Sequence, residues 1–134
     1  MSPEWDGSLE EALEWGVFRT QSVRIQGVSR YTPPEAHELD VRFDRGLSAL
    51  ATMPDPCHRA LNFFLFGSLH QFFFDGNKRT ARLMANGILL SAGQNALNIP
   101  AARQLEFNQK MIRFYDTQDG KEMGNFLLSC IGEE

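Results

Sequence analysis

At 134 residues, with 43% hydrophobic and 22% charged side chains, the chain has the size and composition of one globular unit able to bury a core. A formal charge of -4 excludes a general nucleic-acid binder, which needs a broad cationic surface. No apolar run reaches the ~18 residues of a membrane span, and the acidic start MSPEWDGSLEE lacks the basic-then-apolar order of a secretory signal, so a soluble, cytoplasmic protein is expected.

There is no repeat, low-complexity tract or linker, and residues 1–134 read as a single domain. Ser8 is placed to cap a short helix through LEEALEW, with Glu10 and Glu11 near its positive end and Gly16 ending it. In residues 18–34, Val23 and Ile25 alternate with polar neighbours, Gly27 punctuates and Pro33-Pro34 forbids continuation. That pattern predicts a short β-hairpin or flap, with an irregular surface loop as the alternative. From Glu35 the helical period takes over, with Leu39, Phe43, Leu47 and Leu50 on one face and an end near Met53-Pro54.

Pro56 suits the first turn of the next helix, which is apolar nearly all round through Leu61, Phe64 and Leu65 and so belongs at the centre. It should end near His70 or Gln71. KRTARLMANGILLSAG predicts a further helix closed by Gly93. Residues 101–115 form an amphipathic one through Leu105, Met111, Ile112 and Tyr115, and a last short helix carries Met123, Phe126 and Leu127. Cys57 and Cys130 fit neither a metal spacing nor a disulfide framework and are expected as free thiols buried in helices. The fold class is mostly α, with two central helices joined by residues 70–82, HQFFFDGNKRTAR.

That loop has the chemistry of an anion site. Gly76 permits positive φ and lets a ligand approach the backbone. The residues after it start a helix, whose first N–H groups lack partners and whose dipole end is positive. Arg79 and Arg82, three apart, share a face that Asn86 continues. Asp75 is placed to hold Mg²⁺ through one carboxylate while phosphate oxygens complete the shell. The plainer alternative is an Asp-Gly-Asn turn with capping side chains and solvated arginines.

The segment resembles the signature of the Fic (Fido) family, H-x-F-x-[D/E]-G-N-[G/K]-R-x-x-R. Phe73, Asp75, Gly76, Asn77, Lys78, Arg79 and Arg82 match it without a gap. FRTQSVRIQG followed by YTPP resembles the flap region before that family's core helices, and residues 16–130 have its helix order. The resemblance implies a Fic-type helical core with a β-hairpin flap, and transfer of AMP from ATP to a hydroxyl side chain of a target protein, with the motif histidine as base. By position, Asp75 would bind Mg²⁺; Gly76, Asn77 and Lys78 would hold phosphates; Arg79 and Arg82 would neutralise the remaining charge. The flap at residues 23–27 would clamp a target segment by strand addition. An antitoxin-like inhibitor is a further partner class for such a domain; nucleic acid and membrane are not expected.

Two positions depart from the pattern. The family base lies four residues before the acid, which here is Gln71, while His70 lies five before. Glutamine has no useful pKa and cannot take a proton from a hydroxyl. If His70 is the base, the loop holds one inserted residue among its phenylalanines; the ungapped register, which needs no insertion, is preferred. Lys78 replaces the usual glycine, as in the Doc-like branch, which resembles a kinase in transferring the γ-phosphoryl. The spacing Ser129 to Glu133 is similar to the family's inhibitory motif, with Glu134 where that motif has Gly or Asn; a frayed acidic tail is the preferred reading, and self-inhibition would pair Glu133 with Arg82. Three functions therefore stand: a transferase with His70 as base, a nucleotide-binding module without transfer, and a helical domain whose basic loop meets an acidic partner.

Overall fold

A computed structural model describes residues 17–132. The helix expected after Ser8, and Glu133 with its proposed pairing to Arg82, lie outside the described residues. Glu35 opens the helical part, its N–H donating to the Glu38 carboxylate at 3.3 Å across a 3-10 turn, Ala36–Glu38. Helix α1, Leu39–Ala51, follows directly and buries Leu39 and Leu50.

Helix α2, Pro56–His70, starts where the Asp55 carboxylate accepts the Cys57 N–H at 3.0 Å and proline fills a position with no N–H to satisfy. It ends at His70 because Gln71 turns left-handed, φ 52°. Helix α3, Asn77–Ser91, closes through Gly93 at φ 75°, beyond which the Gln94 N–H returns to the Leu89 carbonyl at 2.9 Å. A second 3-10 turn, Ala101–Arg103, leads into α4, Gln104–Thr117, and α5, Lys121–Ser129, completes the order.

Helices α2 and α3 make the most extensive contact of the molecule. Their axes approach closely where Gly67 meets Ala81, since a Cβ on Gly67 would lie 3.1 Å from that of Ala81. Ala60, Leu61 and Phe64 of α2 and Ala81, Ala85 and Leu89 of α3 form the inner layer, covered by Phe107, Met111 and Phe114 of α4 and by Met123, Phe126 and Leu127 of α5. Cys57 is half-buried in the first turn of α2, Cys130 is buried directly after α5, and both are free thiols. No helix of the described residues is long and apolar enough to cross a membrane.

The expected hairpin at residues 18–34 is absent. Among the described residues the sole β pairing is an isolated bridge between Leu97 and Ile131. The alternation of Val23 and Ile25 has another cause: Ile25, Val28 and Tyr31 pack singly on the helical core, with a turn at Gly27 between them. Arg19 removes the need for a partner strand. Its side chain is 2% exposed and donates to the carbonyls of Gln71 (2.5 Å), Pro34 (2.5 Å), Gln21 (3.0 Å) and His70 (3.2 Å), while its own N–H reaches Phe72 O at 2.8 Å. The segment is thus an irregular strap, buttoned to the end of α2 by a buried guanidinium.

Candidate functional site

The loop between α2 and α3 is ordered by its own amides. The Asn77 carboxamide, 8% exposed, accepts the Phe73 N–H at 2.9 Å and donates to the Phe73 carbonyl at 2.9 Å. Because the Phe73 N–H only donates, Oδ1 must face it, and Nδ2 is left to bond Gln71 Oε1 at 3.1 Å. Gln71 Nε2 then donates to the Ser68 carbonyl at 2.6 Å. Every group in this chain has one allowed direction, and together they hold Gln71 in a left-handed conformation that is strained for a side chain with a Cβ.

Asn77 also begins α3. Gly76 precedes it at φ 74°, and the first helical bond runs from the Thr80 N–H to the Gly76 carbonyl at 2.9 Å. Where α2 has Asp55 as cap, α3 has no side chain on its first N–H groups. Those donors open on a cavity of about 620 Å³. Its loop wall is Gln71 and residues 74–79, its α4 wall Asn108, Met111, Ile112 and Tyr115, and the strap supplies Arg24, Ile25 and Gln26. An uncapped helix start with cations around it attracts anions.

Charges at the mouth are loosely held. Asp75 and Arg79, 86% and 78% exposed, stand 3.9 Å apart, and Asp75 also accepts the Gly76 N–H at 2.8 Å. A pair this exposed contributes little to stability and leaves both groups available to a ligand. Lys78 lies 5.7 Å from the Phe107 ring centre. Asp75, Gly76, Asn77, Lys78 and Arg79 thus come together in one cavity wall. The Asn77 side chain is committed to the loop, so only its backbone N–H is free for a ligand.

Other predicted residues stand elsewhere. Arg82 is not part of this cavity's lining. Asn86 bonds both backbone groups of Leu97, at 2.7 and 3.2 Å, a structural task. His70 faces a second cleft, of about 650 Å³, with His37, Arg42, Arg45 and Phe66. Its Nδ1 donates to the Phe66 carbonyl at 2.9 Å, and its ring lies parallel to Phe72 at 5.2 Å. Burial lowers the His70 pKa, opposed by the Phe66 hydrogen bond and aided by Arg42 and Arg19.

Sequence reasoning missed Arg19, Asn108 and Tyr115, which no local motif marks. Tyr115, stacked on Tyr31 at 6.4 Å, keeps a buried hydroxyl without a hydrogen-bond partner among the described residues, and burial pushes its pKa well up.

No family model matches the chain. The chain is similar to the protein adenylyltransferase Fic of Drosophila erecta and of Drosophila melanogaster, each 27% identical over 122 residues. That of Drosophila virilis is 26% identical over 125 residues. These matches cover 90% of this chain but only 24 to 25% of each relative, so the chain spans about a quarter of their length.

Proposed function

We propose that the cavity binds the phosphates of ATP, and that the domain is of the protein-adenylyltransferase kind, carrying AMP to a hydroxyl side chain of a target protein. The observation that carries this reading is the uncapped start of α3 opening, with Lys78 and Arg79, on a cavity. The similarity to relatives named protein adenylyltransferase Fic supports the nucleotide and the reaction.

In such a transfer the target oxygen forms a bond to the α-phosphorus, the bond to the β-phosphate breaks, and pyrophosphate leaves. The N–H groups of Asn77, Lys78 and Arg79 and the two side-chain cations would hold phosphate oxygens, with Arg82 as a further candidate. Asp75, one exposed carboxylate beside the phosphate donors, fits Mg²⁺, which binds through one or two carboxylates together with substrate phosphates. When bound, the ion would supply charge neutralisation along the polyphosphate.

The base is the weak point of the transfer. Gln71 faces the cavity and cannot accept the hydroxyl proton, while His70 faces the second cleft. This arrangement favours a second reading: a domain that binds nucleotide and transfers little. Calorimetry with Mg²⁺-ATP and incubation with labelled ATP test both. The expected result is saturable ATP binding, faint labelling by the natural chain, and stronger labelling by Gln71→His. Absence of any ATP heat would overturn the nucleotide site; strong natural labelling lost in His70→Ala would make His70 the base.

A further inference from the structure

The strap brings one cation to the cavity that the motif does not contain. Arg24 lies in the same lining as the loop, on the strap, between two residues fixed by other means. On one side, Ile25 packs on the core, and its carbonyl accepts the Val28 N–H at 3.2 Å, closing a turn. Gly27, φ 83°, lays that turn against α4, where a Cβ would sit 3.6 Å from Ile112 Cδ1. On the other side, the Ser22 hydroxyl donates to the Glu35 carboxylate at 2.7 Å. Arg24 itself is exposed and has no hydrogen-bond or ion-pair partner among the described residues. An arginine whose chain neighbours are held and whose fork is free of protein partners is available to a phosphate, and its planar guanidinium loses less freedom per hydrogen bond formed than a lysine would.

The number of phosphates decides which one Arg24 meets. The α3 start, Lys78 and Arg79 are consecutive in the chain and suffice for a single phosphate group, whereas a triphosphate has further phosphates to place, and Arg24 is the cation of the lining that comes from a different segment. We propose that Arg24 is a second jaw of the site, binding the terminal phosphates of the nucleotide from the strap side. The assignment rests on the ATP reading above.

The test compares ATP, ADP and AMP by calorimetry in Mg²⁺, using the natural chain, Arg24→Gln and Arg24→Lys. Because Arg24 is exposed, the variants should melt as the natural chain does. Arg24→Gln should weaken ATP about tenfold, a charge-assisted hydrogen bond's share, and AMP less than twofold, with Arg24→Lys between. An ATP affinity within twofold of natural in Arg24→Gln, or equal losses for ATP and AMP, overturns the second jaw while leaving the nucleotide site standing. Lack of ATP binding by the natural chain overturns the nucleotide site itself, and Arg24's role with it.

Discussion

His70 and Gln71 are chain neighbours, yet they serve opposite sides of the end of α2. One residue along a helix turns a side chain by ~100°, and Gln71 then leaves the helix in a left-handed conformation, φ 52°. The imidazole, the more reactive group, is sent to a cleft with Arg42 and Arg45, its Nδ1 proton committed to the Phe66 carbonyl. The amide, which has no acid–base chemistry, is sent to the cavity with the uncapped helix start. The difference teaches that the histidine nearest an anion-binding loop need not face the cavity which that loop lines.

Both neighbours are held by one cation. Arg19 donates to the carbonyls of His70 and Gln71 together, and burial lowers its pKa without removing its charge. The largest effect is therefore expected from Arg19→Met, which strands four carbonyls, those of His70 and Gln71 at the end of α2 and those of Gln21 and Pro34 on the strap. A loss of about 3 kcal/mol in urea denaturation is expected, with ATP affinity falling as the loop loosens. Arg19→Lys should recover only part, because an ammonium has three donors for four acceptors. Unfolding of Arg19→Met at the natural urea midpoint would show that the two faces are set without the strap.

A smaller effect should separate the faces. The amide chain from Phe73 through Asn77 and Gln71 to Ser68 includes two residues of the cavity wall, Gln71 and Asn77, and none of the second cleft. Asn77→Asp keeps the acceptor for the Phe73 N–H but turns a second oxygen toward the Phe73 carbonyl and Gln71 Oε1. Gln71 cannot relieve this by flipping, since its own oxygen would then meet the Ser68 carbonyl. A cost of about 2 kcal/mol is expected, visible as a lowered urea midpoint near neutral pH. Near-natural stability in Asn77→Asp would mean that the amides do not hold the loop.

Most of the helical fold was legible in the sequence because its signals are local. Pro56, Gly93 and the apolar periods of α1 to α5 act within a turn or two of themselves, and the elements fall where those signals point. For the strap the hairpin reading fails and the irregular-loop alternative holds, because alternation records burial of every second side chain and says nothing of what buries it. Here the partner is α4 and the core, and the buried cation Arg19 lies 52 residues from Gln71, to which it bonds. The loop residues 75–79 gather as a local motif should, since one helix start positions them all. Arg24 and Asn108 were invisible as site residues because only the packing of the strap and α4 brings them to that cavity.

The smallest expected effect lies on the His70 side and is read by pH. Burial holds the His70 pKa below its ordinary 6.5 in the folded chain. Between the folded value and 6.5 the unfolded chain binds more protons than the folded one, so stability falls as pH drops through that window. Above it both states are neutral and the effect vanishes; below the folded value the loss stops growing. Urea midpoints at about pH 7.5 and about pH 5.5 should therefore drop more for the natural chain than for His70→Gln, which cannot titrate. His70→Gln should also bind ATP within twofold of the natural chain at both values, because the ring faces the other cleft. Equal drops in the two chains would mean the imidazole is not held neutral by burial. An ATP affinity that falls in His70→Gln would bring the histidine round to the phosphate side and with it restore the inserted register of the motif.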